Sequence, residues 1–109
     1  MLVPLQVTYR HMERSDALDA VIRERAAKLA ELFPDLVSCR VVVEEERLHK
    51  RQGHLYGVRL DLHMPGREFA VTRDKDEDPF VVVRDAFDAA KRKLDDEARV
   101  MRGDVKAKG

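Results

Sequence analysis

The chain has 109 residues, 44% hydrophobic and 39% charged, which supplies one apolar core under an unusually charged surface and leaves little room for a second domain. Lys plus Arg and Asp plus Glu both number 21, so the formal charge is zero and no whole-molecule field draws the chain toward nucleic acid. Any such affinity has to come from how the charges are distributed. Cys39 is the only cysteine, which excludes an internal disulfide, and its place in the apolar run from Val37 to Val43 suits a buried thiol. The chain opens on no basic segment followed by an apolar one, and no apolar stretch approaches the ~20 residues that span a bilayer, so a cytoplasmic location is expected.

In chain order, Leu2 to Arg10 alternates loosely, with Leu5, Val7 and Tyr9 on one side, which predicts a first strand whose pairing Pro4 delays. Ser15 then precedes Leu18, Val21, Ile22, Leu29, Leu32 and Phe33 at three- and four-residue steps, predicting a helix from about Asp16 to Phe33 that Pro34 helps to end. Val37 to Arg47 is rich in β-branched residues, with Val41 and Val43 opposite in facing to Val42. After the basic segment Leu48 to Gly53, Val58, Leu60 and Leu62 alternate with Arg59, Asp61 and His63; the turn Pro65-Gly66 leads straight into Phe69 and Val71 alternating with Glu68, Ala70 and Thr72. Three strands in a row predict an antiparallel meander.

Asp78 before Pro79 is a helix entry, an acceptor side chain followed by the residue that loses nothing at a first turn. Phe80, Val83, Phe87, Ala90, Leu94, Ala98 and Met101 carry the helix to Gly103. The order β-α-β-β-β-α, with two singly striped helices, predicts an α+β two-layer sandwich: a four-stranded mixed sheet, its first two strands parallel through a crossover helix, with both helices on one face and the other face in solvent. Residues 1–103 are expected to form this one domain and 104–109 a flexible tail.

Chemistry is sparse. His11, His49, His54 and His63 lack the close spacing of metal ligands, Cys39 has no sequence neighbour to activate it, and Gly53, Gly57 and Gly66 open no phosphate loop. The acidic runs Glu44 to Glu46 and Asp74 to Asp78 do not follow calcium-loop spacing and are better read as a solvated strand end and a charged helix entry. No catalytic residue, metal or cofactor is therefore expected.

What remains is basic surface. Arg47, His49, Lys50, Arg51 and His54 make the hairpin between the second and third strands a positive finger suited to phosphates, although basic hairpin tips also serve simply to keep strands soluble. On the second helix Arg84, Lys91, Arg92, Arg99 and Arg102 fall within roughly a 100° arc beside the apolar stripe. Asp88 and Asp95 share that arc, and Asp88 to Arg92 and Asp95 to Arg99 have the spacing of ordinary helix-surface ion pairs. On the first helix, Arg25 and Lys28 flank the apolar face, where long stems cover the core edge and the charged heads emerge toward the second helix. The two helices can thus pool their basic residues.

Several strings resemble a known family. These are Ala17-Leu18 through Ala27-Lys28-Leu29 to Phe33, Val41-Val42-Val43, Asp78-Pro79-Phe80, and Asp85-Ala86-Phe87-Asp88 through Arg92-Lys93-Leu94. In order and spacing, from Leu5 to about Arg102, the chain resembles the ribosome hibernation promoting factors, also described as ribosome-associated inhibitors or ribosomal subunit interface proteins, in a short form without the C-terminal dimerisation domain. The resemblance implies a cytoplasmic translation silencer of stress or stationary phase. Such a domain binds small-subunit ribosomal RNA in the channel for mRNA and tRNA by occupancy, with no chemical step, no membrane and no small-molecule substrate; promotion of ribosome dimers is a further partner expectation. It assigns phosphate contacts to Arg25, Lys28 and Arg92. Two departures stand out: Asp95, Asp96 and Glu97 occupy a turn that is lysine-bearing in many relatives, and Ala89 stands where a lysine is frequent.

The competing reading is a protein-interaction module that uses the open sheet face and mixed-charge helices without binding RNA, which the zero net charge favours. An enzyme with an unrecognised site is the weakest of the three.

Overall fold

The computed structural model describes residues 4–47 and 53–102, and the finger residues His49, Lys50 and Arg51 lie outside them. Its elements are β1 (Leu5–Arg10), α1 (Asp16–Leu32), β2 (Ser38–Arg47), β3 (His54–Met64), β4 (Arg67–Asp76) and α2 (Pro79–Arg102). The order is the one the periodicities predict. β4 runs three residues further than its alternation suggested, through the acidic stretch, because Asp76 still pairs with Tyr56 after a slip in register between Tyr56 and Val58.

The sheet order is β1-β2-β3-β4, with β1 parallel to β2 and the other two pairings antiparallel. Val7 sits opposite Val41 and Val41 opposite Leu60, so one row of branched side chains runs across the strands. That register sends Cys39, Val41, Val43, Val58, Leu60, Leu62, Met64 and Val71 to a single buried face. The alternate residues, among them Gln6, Arg40, Arg59, His63, Glu68 and Thr72, are exposed on the other face. Gly66 takes φ 75°, which the third position of a type II turn requires after proline, and this two-residue link fixes the register of β3 against β4.

Both helices lie on the buried face. Ser15 caps α1: its Oγ accepts from the Leu18 backbone N–H at 3.2 Å, and Leu18, Ile22, Ala26 and Leu29 then point into the core. Asp78 opens α2 by accepting from the Phe80 N–H at 2.9 Å, and Val83, Ala86, Phe87, Ala90 and Leu94 bury its stripe. α2 leaves β4 opposite Tyr56 and travels back until Glu97 meets Arg67 at the start of β4. Lys93 reinforces that clasp, 3.7 Å from Glu97 and over the Phe69 ring at 5.4 Å from its centroid. One flank of α2 is thereby committed to β4 and the other is left for α1.

Among the described residues, one charged side chain enters the core. Asp19 is 6% exposed, and its carboxylate accepts from Arg23 Nε at 2.7 Å, faces Arg14 at 3.5 Å and takes the Tyr9 hydroxyl at 3.5 Å. A buried charge in the first turn of a helix is tolerated when paired in this way, and the cluster pins α1 to the end of β1. Burial, followed by the nearby Asp19 carboxylate, raises the Tyr9 pKa above its ordinary value. No helix among the described residues is long and apolar enough to cross a membrane.

Candidate nucleic-acid interface

α1 and α2 do not close completely against each other. Between them lies a groove of about 150 Å³ lined by Arg25, Lys28, Leu29 and Leu32 from α1 and by Phe87, Asp88 and Lys91 from α2. The floor is apolar and the rims carry three cations and one carboxylate. The helical periodicity explains the arrangement: Arg25, Lys28 and Leu32 succeed one another on the flank of α1 next to its buried stripe, while Phe87 and Lys91 do so on α2. Arg25 is half-buried, its stem running along the core edge and its head at the rim, as expected for a long side chain flanking an apolar face.

Ion pairing divides the basic residues of the helices into two groups. Arg84 lies 3.2 Å from Asp85 and Arg99 lies 2.8 Å from Asp96, so both heads are engaged along the helix surface. Arg23 is held by Asp19, and Lys93 by Glu97. Arg25, Lys28, Lys91 and Arg92 have no carboxylate within 4.0 Å among the described residues. The spacing-based pairs Asp88 to Arg92 and Asp95 to Arg99 are not formed; Arg99 takes Asp96, one turn position closer. A helix-surface pair is worth only about 0–1 kcal/mol, so Arg84 and Arg99 could still exchange a carboxylate for a phosphate at low cost.

Of the expected site residues, the structure therefore brings Arg25, Lys28 and Lys91 together in one groove, with Arg92 exposed on the next position of α2. Arg84 and Arg99 stand exposed on the same helix without lining the groove. Arg47 ends β2, and its side chain falls outside the described part, as do His49, Lys50 and Arg51. His54, the remaining member of the proposed positive finger, has Nδ1 only 2.5 Å from Glu45 Oε2 and in no direction that makes a good hydrogen bond. Its ring is turned toward that carboxylate while the side chain stays partly exposed. Sequence reasoning missed Leu32, which was assigned to the apolar face but is 56% exposed at the groove.

Elsewhere the surface offers less. A larger concavity of about 420 Å³ on the open sheet face is lined by Gln6, Ser38, Arg40, Asp61, His63 and Glu68 among others, a mixture of signs that suits no polyanion. Within β3, Asp61 already accepts a hydrogen bond from Arg59 Nε at 3.0 Å. Cys39 is 3% exposed, and burial, then the Asp61 carboxylate, pushes its thiol up to about 12, so it is a packing residue and no nucleophile. No three His, Cys, Asp or Glu side chains among the described residues are grouped to hold a metal ion.

A β-α-β-β-β-α sandwich with a basic groove between its two helices defines a class of small two-layer α+β domains. The model of the family described as Sigma 54 modulation protein / S30EA ribosomal protein matches residues 5–102, and the chain belongs to that family. Among solved structures it is similar to a ribosomal subunit interface protein from Coxiella burnetii, with TM-score 0.74 and 12% identity over 88% of this chain and 98% of that one. It is also similar to the N-terminal domain of Thermus thermophilus Protein Y, with TM-score 0.63 and 18% identity over 86% of this chain and 96% of that one. At these identities the likeness is one of fold. No curated protein matches the sequence.

Proposed function

We propose that this domain binds the small ribosomal subunit through its ribosomal RNA, in the channel used by mRNA and tRNA, and silences translation by occupancy under stress or in stationary phase. The observation that carries the reading is the groove: Arg25, Lys28 and Lys91 converge on it from two helices, and with Arg92 they form the described helical cations that no carboxylate has already taken. Membership of a family described as a ribosomal protein, and likeness to a ribosomal subunit interface protein, support the choice of the ribosome as partner.

The mechanism is steric and electrostatic. Phosphates displace water and counterions from the rim cations, and the rigid sandwich behind the helices fills space that other ligands of the channel need. No bond is made or broken. Because the whole chain is neutral, long-range attraction is weak and binding relies on fit at the groove, so Asp88, Asp95 and Asp96 limit affinity for RNA of the wrong shape.

Sedimentation of purified small subunits with the protein tests this reading. Three to four phosphate contacts predict co-sedimentation at about 50 mM salt and affinity roughly 20- to 150-fold weaker at about 200 mM. A protein that stays at the top of the gradient at both salts contradicts the proposal. Subunit binding that survives the salt increase unchanged points to the alternative, a protein-binding module.

A further inference from the structure

We infer that the groove between α1 and α2 holds one unpaired RNA nucleotide, its base against Leu32 and Phe87 and its edge read by Asp88, with a marked preference for guanine. The inference rests on the proposed RNA binding and sharpens it from a basic surface to a base-selective subsite.

Three features distinguish this groove from a plain phosphate track. Its floor is apolar, formed by Leu29, Leu32 and Phe87, and Leu32 is 56% exposed although it neighbours cations on the same helix flank. A phosphate gains nothing from that surface, whereas the face of an unstacked base does. The volume of about 150 Å³ is of the order of one planar heterocycle and too small for a duplex segment. Finally, Asp88 stands among Arg25, Lys28 and Lys91, yet none of them comes within 4.0 Å of it.

An unpaired carboxylate beside a phosphate site weakens binding unless it receives donors from the ligand. A carboxylate is purely an acceptor when ionised. Guanine offers N1–H and N2–H side by side, matching its two oxygens; cytosine and adenine offer an amino group next to a ring acceptor, and uracil offers a lone N3–H between two carbonyls. The expected order is guanine first, adenine and cytosine intermediate, uracil last. Carboxylate readout of base donors has the strength of a good base contact, about tenfold or more in discrimination. The rim cations Lys28 and Lys91 hold the flanking phosphates and leave Asp88 to choose the base.

The test uses the full chain and four RNA hairpins that differ only in a single unpaired loop nucleotide, with affinity read by fluorescence anisotropy at about 50 mM salt. The guanine hairpin should bind roughly tenfold or more tighter than the uracil one. Asp88→Ala should remove that preference and weaken the guanine complex, while Leu32→Ala weakens all four. Both positions are exposed, so the variants should fold as the parent does. If Asp88→Ala instead tightens all four hairpins equally, Asp88 is only a repulsive neighbour and the inference is overturned while RNA binding stands. Equal binding of the four hairpins by the unaltered protein overturns it in the same way. Failure to bind any hairpin or any small subunit would remove the underlying function as well.

Discussion

Lys28 of α1 and Lys91 of α2 line one groove, although the whole three-stranded meander separates them in the chain. They meet because the buried stripes of both helices address the same sheet face, so the flanks beside those stripes have to face each other. Neither lysine has a carboxylate within 4.0 Å among the described residues, whereas Arg84 and Arg99 each do. The basic residues of the helices thus differ in how free their charge is, a difference that composition does not carry.

The groove exists only while α2 stays docked. Leu94 is fully buried where α2 crosses the sheet, and Leu94→Ala should cost about 2–5 kcal/mol, the range for a buried leucine truncated to leave a cavity. Urea unfolding followed by far-ultraviolet circular dichroism would register it as a lower midpoint at unchanged slope.

α1 depends on its cap. Ser15→Ala removes the acceptor of the Leu18 N–H and should lower stability by about 1 kcal/mol, with the fold otherwise intact. Restoring an acceptor with Ser15→Asp should recover most of the loss, which a packing role for Ser15 would not allow.

Most of the architecture was legible in the sequence because local periodicity and burial agree there. Val41 and Val43 against Val42, or Leu60 and Leu62 against Arg59 and Asp61, alternate as a half-buried sheet demands, and the structure buries those very residues. Leu32 departs from its spacing for a physical reason: three- and four-residue steps identify a helix flank, but only the distance to the neighbouring helix decides whether the flank closes. Ion pairing was illegible on similar grounds. Both Asp95 and Asp96 stand within reach of Arg99 in sequence, and the rotamer that reaches Asp96 at 2.8 Å is chosen by the surface. The carboxylate of Asp19 gave no sequence signal, since its burial arises from Tyr9, Arg14 and Arg23 meeting at the strand end.

Alkaline pH offers a check on the core. Burial, then the Asp61 carboxylate, pushes the folded Cys39 thiol from an ordinary 9.0 up to about 12. A raised folded value means that the unfolded chain loses its proton first, so this contribution to stability is intact below pH 9 and is lost as pH climbs from 9 toward 12. Tyr9 and Tyr56, both raised mainly by burial, act in the same direction above pH 10. Stability measured between pH 8 and roughly 11 should fall, and Cys39→Ala should shallow the early part of that fall. The thiol should also resist alkylation at neutral pH until the protein is unfolded.

The central claim is that cations of the interhelical groove hold the small subunit, and paired charge reversal tests it most directly. Affinity of Lys28→Glu/Lys91→Glu for small subunits would be compared with that of Arg40→Glu/Arg59→Glu, which makes the same change on the open sheet face. The groove pair should weaken binding by at least roughly tenfold and lower the salt slope by about two, while the sheet pair stays within about threefold of the parent. Equal losses from both pairs, or parental affinity in the groove pair, would contradict the account.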